Sequence, residues 1–61
     1  MRYVTFELPS GNLMSVNPNQ VVYLFEQDYG RTLIRFSDGK FEILDLPIQT
    51  VKEELESGVN H

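Results

Sequence analysis

The chain has 61 residues, no cysteine and one histidine (His61), with five basic against nine acidic side chains for a net charge of -4. A chain this short has room for one domain, buries only about 60% of the surface its unfolded form exposes, and without cysteine gains nothing from disulfides or thiolate metal sites. The acidic balance opposes duplex nucleic acid as the main partner, and no apolar run approaches the ~20 residues that a membrane-spanning helix needs.

The first run, Tyr3 to Leu8, sets Val4, Phe6 and Leu8 against Thr5 and Glu7, a period of two and therefore a strand. Because "MRYVTFEL" alternates instead of building an apolar signal-peptide core, it is expected to be mature structure. Pro9-Ser10-Gly11 predicts a three-residue hairpin loop with Gly11 in the left-handed position. If Leu8 faces Asn12, then Phe6 meets Met14 and Val4 meets Val16, so apolar side chains oppose each other at both pairs.

"NPNQ" at 17–20 predicts a break, with Pro18 holding Asn17 extended. "VVYLFE" follows as a strand with apolar residues on both faces, and "QDYGR" closes the next hairpin with Gly30 free to take a positive φ. Asp38-Gly39, between "TLIRFS" and "KFEILD", predicts a two-residue type I′ turn. With Ser37 opposite Lys40, the pairs are Phe36–Phe41, Arg35–Glu42 (an ion pair), Ile34–Ile43 and Leu33–Leu44.

The last segment changes period. Ile48, Val51 and Leu55 form one stripe of a helix, with Lys52, Glu53, Glu54 and Glu56 off it. Asp45 is the expected N-cap, Pro47 falls in the first turn, and Gly58 sits where a C-terminal glycine cap belongs. One β-rich domain is expected over residues 1–58, with 59–61 as a frayed tail. The fold class is mainly β (α+β): about five strands in one curved antiparallel sheet or small barrel, with a short C-terminal helix.

The residues that carry chemistry are scattered. Ser10, Ser15, Ser37 and Ser57 have only the terminal His61 as a candidate base, and Asp28, Asp38 and Asp45 belong to three different element ends. Neither a catalytic site nor a metal or cofactor site is expected. Arg31, Arg35 and Lys40 form the one basic cluster, and Tyr29 at the preceding loop could add a stacking surface suited to single-stranded nucleic acid.

The order hairpin, Asn-Pro break, strand, Gly-Lys hairpin, helix resembles the small flagellar and swarming-motility proteins of the SwrD (FlbD-type) family. Val4, Thr5, Gly11, Asn17, Pro18, Val21, Thr32, Ile34, Gly39, Lys40 and Val51 carry the likeness, over roughly residues 2 to 56; Pro9-Ser10-Gly11 stands where that family has Asn-Gly. The resemblance implies a non-enzymatic accessory role near a bacterial flagellar motor. Residues from about Val16 to Leu55 are also similar to part of the LytTR-type DNA-binding domain, which implies a regulator using the Arg31–Lys40 hairpin.

Combining the registers places Val22, Leu24, Ile34, Phe36, Phe41 and Ile43 on a core face roofed by Ile48, Val51 and Leu55. The opposite face then carries Tyr23, Phe25, Leu33 and Leu44 beside the Arg35–Glu42 pair. Such an apolar face is expected either to lie under the first hairpin, as the wall of a barrel, or to dock another protein or a second copy of the chain. A cytoplasmic bacterial or phage protein, acting by binding as a homodimer or with another protein, is the expectation.

Overall fold

The computed structural model describes residues 2–59. In chain order it contains β1 (Val4–Glu7), β2 (Leu13–Val16), a 3-10 turn (Pro18–Gln20), β3 (Val21–Gln27), a second 3-10 turn (Asp28–Gly30), β4 (Arg31–Phe36), β5 (Phe41–Leu44) and α1 (Ile48–Val59). The protein is mainly β with one C-terminal helix. Its five strands form two sheets, β1-β2 and β3-β4-β5, and neither closes into a barrel.

The first hairpin has the expected register, with Val4 opposite Val16 and Phe6 opposite Met14. Its loop is Pro9-Ser10-Gly11: the Leu8 N–H donates to the Asn12 carbonyl (2.8 Å), and Gly11 takes φ +92°. Asn17 is extended (φ -83°, ψ 113°), and its side chain accepts from the Asn19 N–H to start the short turn at Pro18.

The last hairpin departs from expectation by one residue. Thr32 faces Leu44, Leu33 faces Ile43, Ile34 faces Glu42 and Arg35 faces Phe41. The Phe36 N–H donates to the Lys40 carbonyl (2.9 Å) and the Gly39 N–H to the Phe36 carbonyl (3.0 Å), so the loop is Ser37-Asp38-Gly39. Only Gly39 has a positive φ there (+89°), which is a type I turn closed by a left-handed glycine and not the expected type I′ turn. The Asp38 carboxylate favours it by accepting the Lys40 N–H (2.9 Å). The expected pairs Phe36–Phe41, Arg35–Glu42, Ile34–Ile43 and Leu33–Leu44 therefore do not form.

A second irregularity lies in β3. Val21 pairs with Phe36 and Tyr23 with Arg35, leaving Val22 as the extra residue of a bulge. Val22 is exposed as a result, and Val21 takes the inward place expected of it.

The core joins Val4, Phe6 and Val16 from the first sheet, Ile34 and Leu44 from the second, and Val51 and Leu55 from α1. Leu24 and Phe36 pack against it as expected, whereas Phe41 is exposed and Ile43 is half-buried outside the core cluster. The first hairpin and the helix thus lie on the same side of the three-stranded sheet. The hairpin does not cover the other side. Buried Thr32 keeps the polar account closed, its hydroxyl donating to the Leu46 carbonyl (2.8 Å) and so fixing the β5–α1 connection. The Ser37 N–H donates to the Gln20 carbonyl (2.8 Å), tying the last hairpin to the Pro18 turn.

Both helix ends correct the sequence reading. Pro47, not Asp45, precedes the first helical residue, and its carbonyl accepts the Val51 N–H (3.2 Å). Gly58 lies inside the helix and is buried, not a cap. It continues the Val51–Leu55 stripe where the helix touches β1: its carbonyl accepts the Arg2 N–H (3.1 Å). Val59, expected in a frayed tail, is helical, and positions 60 and 61 of that tail lie outside the described residues.

A Cβ on Gly58 would meet Val4 Cγ2 at 2.6 Å, the Arg2 carbonyl oxygen at 3.0 Å and Pro18 Cγ at 3.0 Å. Glycine to alanine inside an unpacked helix stabilises by up to about 1 kcal/mol. Gly58→Ala should do the opposite, losing about 1–3 kcal/mol through overpacking against a stiff valine and backbone. Urea midpoints of the two proteins measure the difference, and a stabilised variant would show that the helix does not approach β1 this closely.

Candidate docking face

Side chains alternate across a strand, so the register of β3-β4-β5 fixes what the uncovered side presents. Two cross-strand rows point outward. One is Tyr23–Arg35–Phe41 and the other Phe25–Leu33–Ile43. Tyr23 is 46%, Phe25 59% and Phe41 51% exposed, while Leu33 and Ile43 are half-buried.

Arg35, on the central strand, organises the first row. Its guanidinium carbon lies 5.9 Å from the Tyr23 ring centroid and 5.6 Å from that of Phe41, within cation–π range of both. Its Nη1 donates to the Gly39 carbonyl (2.6 Å) and its Nε to the Tyr23 hydroxyl (3.4 Å). The two aromatic rings thereby hold a cation in a defined position on the face.

Of the residues expected on this face, Tyr23, Phe25 and Leu33 are on it. Leu44 is not: it is fully buried opposite Thr32, as the shift of register requires. Phe41 and Ile43, expected in the core, take the outward places. Glu42 stands opposite Ile34 and is turned away from Arg35.

The basic residues divide. Arg31, opposite Gln27, lies at one end of the face, and Arg35 lies within it. Lys40 sits beyond the other end of β4, at the hairpin loop. Tyr29 is 91% exposed at the β3–β4 tip and has φ +66°, a left-handed conformation that bulky side chains rarely adopt. Phe25, Glu26, Gln27, Asp28, Tyr29 and Arg31 line one open depression there, so two carboxylates stand at the Arg31 end. The strand residues of the outer face carry no carboxylate. Among the described residues, no group of three His, Cys, Asp or Glu side chains is placed to hold a metal ion.

Compared with known proteins, the chain matches no family model, no curated protein and no solved structure. Among the described residues no helix is long and apolar enough to cross a membrane.

The exchange of Leu44 for Phe41 has a measurable consequence. Leu44→Ala should cost about 2–5 kcal/mol, as for other buried leucines. Phe41→Ala, although it removes a larger side chain, should cost under about 1 kcal/mol because only its contacts with Arg35 and its outer-face neighbours are lost. Thermal melts of both variants check the order, and the reverse order would contradict the register.

Proposed function

We propose that this protein is a non-enzymatic, cytoplasmic accessory module that works by docking the outer face of its three-stranded sheet against another protein. The observation that carries the reading is the contiguous Tyr23, Phe25 and Phe41 surface, about half exposed on a side that neither the helix nor the first hairpin covers. Sheets with one solvated face normally alternate apolar with polar residues, and soluble monomers rarely leave such patches open. Aromatic residues and arginine are also the types that dominate binding energy at protein interfaces. The resemblance to the SwrD-type motility proteins, carried by the matched residues alone, would set this docking beside a bacterial flagellar motor.

One observation favours a second reading. Arg31 and Arg35 share the aromatic face, an arrangement that also suits stacked bases of single-stranded nucleic acid. The net charge of -4 and the position of Lys40 off this face weigh against it, because polyanion binding needs several phosphate contacts.

Photo-crosslinking amino acids placed at Phe25, Phe41 and, as a control, Glu53 on the exposed side of α1 test the reading in native cells. The same discrete protein adduct from positions 25 and 41, absent from 53, is expected. Nucleic-acid adducts that vanish with added salt would favour the second reading, and equal labelling from all three positions would contradict both.

A further inference from the structure

Resting on the docking reading, we infer the chemistry of the occupant: a short apolar segment of another protein that carries an aspartate or glutamate, seated on Arg35. A second copy of this chain fits poorly. Strands of seven, six and four residues at ~4.8 Å spacing offer a flat area of roughly 270 Å², which suits a short segment and falls well below the ~800 Å² per partner of a standard interface between folded proteins. A two-fold contact is also self-complementary, so each feature must find its match on the same face. Here the outward charges are Arg31 and Arg35; Glu26 and Asp28 line the depression at the Arg31 end, whereas the Tyr23–Arg35–Phe41 row has no carboxylate. Copies stacked row on row through this face would leave Arg35 without an acidic partner.

Arg35 itself specifies the match. A guanidinium has five N–H donors. Two nitrogens, Nε and Nη1, donate to neutral oxygens of this chain, and the rings of Tyr23 and Phe41 flank the group. Covering the face with a purely apolar partner would strip water from a charge whose remaining donors have no acceptor among the described residues, which is costly. A carboxylate supplies paired acceptors in the geometry arginine favours. The surrounding aromatic and aliphatic rows give the rest of the segment its contact. The segment thus reads as acid flanked by apolar residues, of a length close to one short helix or strand.

The test uses random peptides of roughly 16 residues, enough to run the length of the face as a helix, displayed on phage and panned against the immobilised full chain. Enriched peptides are expected to hold an Asp or Glu among aliphatic and aromatic residues. In one such peptide Glu→Gln should weaken binding about 10-fold or more, the Arg35→Met protein should show a similar loss, and combining the two should add little. Arg35→Met keeps the apolar stem, and its circular dichroism melt verifies folding; Arg35→Lys, keeping charge without the planar fork, should fall between. Peptides that depend on Phe25 (lost with Phe25→Ser) but lack acids, or ignore Arg35, would overturn this inference and leave docking intact. Peptides insensitive to Phe25→Ser would overturn the docking face itself. Failure to enrich any peptide, or a wild-type dimer in sedimentation that Phe25→Ser dissociates, would overturn the acidic-segment inference.

Discussion

Gly39 takes φ +89° at the end of a three-residue loop, and the Phe36 N–H reaches the Lys40 carbonyl across it. Because strand side chains alternate, that one backbone closure decides which half of β5 is core and which is surface. It turns Leu44 inward beside Thr32, beneath the helix, and turns Phe41 and Ile43 outward beside Arg35 and Leu33. A loop shorter by one residue would bury the phenylalanine, expose the leucine and put Glu42 against Arg35. The aromatic face, the held guanidinium and the turning of Glu42 away from Arg35 all follow from the longer loop.

The rest of the fold uses its covering elements on the other side. The first hairpin contributes Val4, Phe6 and Val16 to the same core that α1 reaches with Val51 and Leu55. Gly58 lets the helix end close on β1, where any side chain would collide with Val4. The Ser37 and Gln20 backbones tie the last hairpin to the turn that leads into β3. With both the hairpin and the helix committed to the inner face, nothing among the described residues lies over the outer one. Tyr29 adds to the picture, since a bulky residue held left-handed while 91% exposed gains no packing in return for its conformation.

Much of this was legible in the sequence, and the failures have local causes. Strand positions, the first hairpin register and the Asn17-Pro18 break followed from alternation and turn chemistry at Gly11 and Pro18. Three of the four proposed face residues, Tyr23, Phe25 and Leu33, are on the face because they sit on strands whose mutual register is set before the last loop. Leu44 falls on the wrong face when Asp38-Gly39 is taken as a complete two-residue turn, because Ser37 belongs to the loop. Ser37-Asp38-Gly39 ends in glycine just as Pro9-Ser10-Gly11 does, and that parallel was the available signal. The bulge at Val22 and the close approach at Gly58 had no local signal, because each depends on what packs against it. Glycine near a helix end looks the same whether it caps the helix or admits a neighbouring strand.

Cross-strand nuclear Overhauser contacts between α-protons test the register most directly. In an antiparallel pair these protons are close at the pairs that do not exchange backbone hydrogen bonds, which alternate with those that do. Counting from the Phe36–Lys40 closure, strong contacts are predicted for Arg35–Phe41 and Leu33–Ile43. Strong contacts for Phe36–Phe41 and Ile34–Ile43 instead would restore the shorter loop, return Phe41 to the core, and remove the aromatic face on which the docking account stands.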